Sequence, residues 1–260
     1  MFKILKYSFF DLIRSYWSLT YMLFYLIVTS SLLYFSGDLL KGIISLSSII
    51  LILTPLIGTI FGIMYYYNSR DFTELLLAQP IRRKAIFMGQ YLGLSLSLSS
   101  SFLLGTGLPF LFYGIQVSGE IWNFFTLLLS GALLTCIFTA FAYWIGLAHE
   151  NRIKGFGLAI VLWLLLALIY DGLFLLSLVL FEEYPIEKLA IGATLFNPID
   201  LSRILVMLKL DISALLGYTG AVFKKFFGTG LGISCSISAL IIWVIIPVTG
   251  ILVKGRKKDF

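Results

Sequence analysis

Few side chains in this sequence stand where chemistry would need them. His149 is its one histidine, and Cys136 and Cys235 are its two cysteines, lying in separate apolar runs. Metal sites draw on clustered His, Cys or carboxylate ligands, so none is expected, and the cysteines read as small buried hydrophobes. Asp171 is the one acidic residue clearly inside an apolar run. A carboxylate at that depth is costly unless paired, protonated or wet. It either reaches interfacial water beside Tyr170 or belongs to a polar cleft or a lock between subunits. Glu182 and Glu183 end the same run and read as a solvated edge, not as the paired carboxylates of an intramembrane protease. No G-x-x-x-x-G-K-[ST] stretch occurs, so any ATP is expected to be hydrolysed by another chain.

The richest polar segment is residues 68–84, NSRDFTELLLAQPIRRK, between two long apolar runs. Ser69 is placed to cap a short helix, and Asp71 and Glu74 favour its positive N-terminal end. Phe72, Leu75 and Leu76 are expected to share one face. Pro80 stops the helix because Gln79 before it is pushed out of helical geometry. Arg82, Arg83 and Lys84 then hold the segment on the cytoplasmic side. Such a helix can dock on another protein.

The elements that carry these residues are set by composition. With 60% hydrophobic and 12% charged residues, and a mean hydropathy of +1.00, the chain lies far from the roughly 25% charged content of soluble proteins. Six runs, at about 17–35, 43–64, 85–113, 121–146, 155–181 and 231–253, reach the roughly 17–25 residues a membrane helix needs. The expected fold is an all-α integral membrane protein forming one transmembrane domain over 1–260. With the N-terminus inside, 13 of the 19 Lys and Arg residues are cytoplasmic, and five of the other six lie in one long loop, so both termini are assigned to the cytoplasm. The +6 charge therefore reads as a topology signal, and nucleic acid is not an expected partner. No cleavable leader is expected.

Three further elements stand out. Residues 1–16 put Phe2, Leu5, Phe9, Leu12 and Tyr16 on one helical face, as in a helix lying along the inner leaflet among membrane lipids. Gly89, Gly93, Ser97, Ser101 and Gly105 recur every four residues, a small-residue stripe that lets another helix approach closely. Residues 182–230 form the one large extracytoplasmic segment, in which Asn197 caps a helix begun by Pro198, with Ile204, Leu205 and Leu208 on one side.

ELLLAQPIRR at 74–83, followed by GQYLGL at 89–94, resembles the ABC-2 type permease family, whose fold is of the type V exporter kind. With FNPIDLSRIL at 196–205 and GYTGAVF at 217–223, the chain is similar to permease subunits of Nos-type copper-processing ABC transporters, which serve maturation of nitrous oxide reductase. The resemblance implies a second copy of this chain, two cytoplasmic ABC ATPase subunits that bind the ATP and Mg, and a periplasmic partner protein. It makes 68–84 the coupling helix, with Asp71, Phe72, Glu74, Leu75, Gln79, Arg82 and Arg83 facing the ATPase or anchoring the segment. It puts Asn197, Pro198, Asp200, Arg203, Tyr218 and Phe223 on the surface meeting the periplasmic partner or the second permease. The chain itself is then a non-catalytic subunit in the bacterial inner membrane, with no cofactor of its own. A generic ABC-2 exporter of a lipid, peptide or drug-like substrate is the alternative. An ion-coupled transporter would show several intramembrane charges, and only Asp171 answers to that.

Overall fold

The computed structural model describes residues 1–180, 187–210 and 230–258. Glu182, Glu183, Tyr218 and Phe223 lie outside the described residues. All regular structure among the described residues is helical: α1 (Phe2–Ile13), α2 (Tyr16–Ser36), α3 (Leu39–Asn68), α4 (Arg70–Leu77), α5 (Arg83–Phe112), α6 (Ile121–Ala148), α7 (Arg152–Leu164), α8 (Tyr170–Leu180), α9 (Glu187–Leu195), α10 (Pro198–Lys209) and α11 (Gly230–Lys257). A π-helical turn, Leu165–Ile169, joins α7 to α8. Among the described residues, six helical stretches are long and apolar enough to cross a membrane: α2, α3, α5, α6, α7 running into α8, and α11. They coincide with the six runs of the sequence.

Burial orders these spans. In α5 and α6, 61% of the spanning window is buried, against 22% in the fifth span and α11, so α5 and α6 form the centre. Small residues explain how other helices reach them. A Cβ at Gly89 would sit 3.0 Å from Ile4 of α1, one at Gly93 would sit 2.6 Å from Ser8, and one at Gly105 would sit 2.5 Å from the Met22 carbonyl of α2. Between them, the Ser18 and Ser101 hydroxyls meet at 2.7 Å. The small stripe of α5 is thus a packing track for α1 and α2, where close backbone approach supplies dispersion contact that apolar burial alone does not give in lipid. On the other side of the centre, Gly62 of α3 lies against Ala142 of α6, and Gly146 of α6 lies against Tyr66.

The glycine track also shifts the face that α1 buries. Ile4 and Ser8 are buried, Leu5, Phe9 and Leu12 are half-buried, and Phe2 and Tyr16 are exposed. Residues that fit against glycine take the inner edge, and the aromatic edge stays outside.

At the opposite end of the bundle, α10 is inserted among the spans. Its Ile199, Leu201, Ile204 and Leu205 pack with Leu134, Ile137 and Phe138 of α6 and Leu240 of α11, while Val206 joins a cluster containing Leu46 and Leu98. The single apolar side expected for this helix is corrected: both flanks are buried, and Leu208 is only half-buried.

Candidate functional site

Two polar constellations emerge, one at each end of the bundle. The first is built on α4. Ser69 precedes this helix but does not cap it with its side chain; the hydroxyl donates to the Tyr66 carbonyl at 3.3 Å and finishes α3 instead. Asp71 remains in the first turn of α4, where it favours the helix dipole. Arg70 donates to Glu74 at 3.0 Å, one turn on. Thr73 and Leu76 are buried, with Leu76 against Ile4 and Ile86, and Phe72 stacks on Tyr7 at 5.1 Å. Leu75, expected on that same face, is 67% exposed. At 100° per residue, the cradle made by α1 and α5 takes the sector of Thr73 and Leu76 and turns Leu75 outward. Asp71, Glu74, Leu75, Gln79, Arg82 and Arg83 are thus all exposed. Arg83 also donates to the Lys258 carbonyl at 2.8 Å, tying the start of α5 to the end of the chain.

Beneath α4 runs a buried hydrogen-bond chain. The Tyr143 hydroxyl of α6 donates to Gln90 Oε1 of α5 at 2.7 Å. Gln90 Nε2 donates to Thr73 Oγ1 at 2.9 Å, and Thr73 donates to the Ser69 carbonyl at 2.7 Å. Gln90 and Tyr143 have no exposed surface, so the two bonds of Gln90 are shielded from water and costly to leave unmade. The chain links one face of a surface helix to both central spans.

The second constellation gathers residues that the sequence suggested separately. Arg203 Nη1 donates to Asp171 Oδ1 at 2.8 Å and approaches Asp200 Oδ1 at 3.1 Å, without hydrogen-bond alignment to the latter. Asp171 is therefore paired in the structure. Asn197 Nδ2 donates to Asp200 Oδ2 at 2.7 Å and to the Leu166 carbonyl at 2.8 Å, while its Oδ1 accepts the Ile199 amide. Leu166 lies in the π-helical turn, and such turns take carbonyls out of the regular ladder. The Asp200 carboxyl is pushed up to about 6, chiefly by burial, with Arg203 opposing and Asp171 adding to the rise. Tyr170 and Trp243 donate to the Ala193 and Leu195 carbonyls, satisfying the end of α9. Asn197, Pro198 and Asp200 are buried within the chain, so these side chains fix α10 rather than offering a surface, and Arg203 keeps only 26% of its side chain exposed. Among the described residues, no three His, Cys, Asp or Glu side chains stand together as a metal site would require.

No family model matches the chain. Compared with individual proteins, it is 30% identical over 170 residues to a probable ABC transporter permease protein NosY of Stutzerimonas stutzeri, covering 63% of this chain and 62% of that protein. It is 29% identical over 177 residues to a protein of the same description from Pseudomonas aeruginosa, covering 65% and 64%. The chain is similar to ABC transporter permeases. The matches span just under two thirds of these relatives' lengths. Six apolar spans and these relatives make the chain a multi-pass protein of the inner membrane.

Within this permease-like chain, sequence reasoning missed Thr73, Gln90 and Tyr143. The available signal was Gln90 itself, an amide carrying four hydrogen-bonding positions near the start of an apolar span.

Proposed function

We propose that the chain is the membrane subunit of an ATP-driven ABC transporter and that α4 is the coupling helix on which a separate cytoplasmic ATPase acts. The observation that carries this reading is the two-sidedness of α4. Its outer face offers Asp71, Glu74 and Leu75, with Gln79 exposed just beyond its end, and its inner face is joined through Thr73, Gln90 and Tyr143 to α5 and α6. Displacement of the outer face then acts directly on the most buried spans, a rigid-body route for nucleotide-driven change. Arg82 occupies the N-cap position of α5 and Arg83 begins it, and together they anchor the segment at the anionic inner leaflet.

In this assembly, α1, α4, the α6–α7 turn and the C-terminus face the cytoplasm, in line with the bias of Lys and Arg. Two copies of the chain meet two ATPase subunits, which hold ATP and Mg, so this chain is non-catalytic. The opposite end, with Arg203, meets the periplasmic partner. The resemblance of 74–83 and 196–205 to Nos-type permeases, together with the similarity to two proteins named NosY, favours a role in copper-site maturation of nitrous oxide reductase, with copper held by partner chains.

The test is co-purification of the chain with its ATPase from cells, comparing wild type with Leu75→Asp and Glu74→Lys. Both variants should fold, being changed at exposed positions, and should lose most of the ATPase. Full retention of the ATPase by both would remove α4 as the contact.

A further inference from the structure

A cleft between α1, α2, α3 and α5 combines a polar mouth with an apolar interior. The mouth, about 550 Å³, is bordered by Asp11, Arg14, Tyr65, Asn68 and Phe72. It shares Leu12, Ser15, Tyr65 and Asn68 with a crevice of about 120 Å³ that runs inward between Trp17, Phe61, Leu94, Ser97 and Leu98. A crevice of that volume has room for a short run of methylenes and not for a folded solute. Its one deeply buried polar atom without a partner is the Ser97 hydroxyl, on a residue 1% exposed.

The depth of the mouth follows from the spans on either side. Ser15 immediately precedes span α2, which starts at Tyr16, and Asn68 ends span α3. Around it, Phe2, Tyr7, Phe10, Tyr16 and Trp17 are exposed, the aromatic composition that membrane–water interfaces favour. The mouth therefore lies at headgroup level and the crevice at acyl level. Charge narrows the occupant. Asp11, in the last turn of α1, and Arg14, the residue that caps its end, stand one turn apart, both exposed, and neither has an ion-pair partner among the described residues. The Arg14 guanidinium lies 6.0 Å from the Phe10 ring, a contact that leaves its donors open.

We propose that this cleft binds one phospholipid whose headgroup carries both a phosphate and a primary ammonium. Arg14 receives the phosphate, Asp11 the ammonium, and the upper methylenes of one acyl chain enter the crevice beside Ser97. A guanidinium presents a planar fork of donors matched to phosphate oxygens, and a carboxylate accepts from an ammonium, so the pair selects a zwitterionic headgroup over an anionic one. Phe72 at the rim places the bound lipid against α4.

The experiment is native mass spectrometry of the full chain, delipidated in mild detergent and titrated with palmitoyl-oleoyl phosphatidylethanolamine, the matching phosphatidylglycerol, or soluble phosphoethanolamine. One phosphatidylethanolamine per chain should be retained at least tenfold better than phosphatidylglycerol, with no displacement by phosphoethanolamine. Asp11→Asn and Arg14→Gln, at exposed positions, should each cut retention about tenfold, and Ser97→Leu should do the same by filling the crevice. Equal retention of the two lipids, or undiminished retention in the Asp11→Asn/Arg14→Gln double variant, would overturn the headgroup assignment. Displacement by phosphoethanolamine would overturn the lipid itself in favour of a soluble phosphate ester.

Discussion

At the scale of single residues, the chain's polar side chains divide by whether their partners lie nearby in sequence. Gln90 is satisfied on both sides by residues 17 and 53 positions away. Gln90→Leu should leave the Tyr143 hydroxyl buried and unpaired and cost about 1–3 kcal/mol. Thermal unfolding in detergent would show it as a lowered midpoint, and an unchanged midpoint would mean that the relay holds nothing. Asp200 offers a pH signature at the other end. Its native acidity is weakened to about 6 from an ordinary 3.8, so between those values the folded chain holds a proton that the unfolded chain has released. Its contribution to stability is therefore present below about pH 4, declines as pH rises, and is gone above about 6. Asp200→Asn should flatten the fall in melting temperature across that window. If the variant keeps the whole fall, another group is responsible.

At the scale of elements, close packing on α5 explains why its glycines are not equivalent. A methyl group at Gly105 would meet the backbone carbonyl of Met22, whereas one at Gly107 meets nothing within 4 Å. Gly105→Ala should loosen α2 from α5 and lower the melting temperature. Gly107→Ala should be neutral or raise stability by up to about 1 kcal/mol through helix propensity. Equal effects would show that the track is not a contact surface. The six spans were readable because hydropathy and length suffice to define them, and the Asn197 cap because its signal is local. The outward turn of Leu75 was not readable, since periodicity places Phe72, Leu75 and Leu76 within one broad sector and only the cradle of α1 and α5 selects part of it. Nor was the pairing of Asp171 with Arg203, which depends on a π-helical turn and on α10 entering the bundle. Spacing 32 residues apart carries no such information.

At the scale of the whole molecule, the chain has two polar ends joined by tightly packed central spans, with α4 as the surface element wired most directly to them. The proposed role requires an ATPase to touch the outer face of α4 and no residue at the far end of the bundle. Phe112, at the end of α5, is 88% exposed and supplies the control position. The decisive measurement is site-specific photo-crosslinking in cells, with a benzophenone side chain replacing Leu75 or Phe112 in the full chain expressed with its ATPase. The account predicts a crosslinked permease–ATPase band from position 75 and none from position 112. No band from position 75, or equal bands from both, would contradict it.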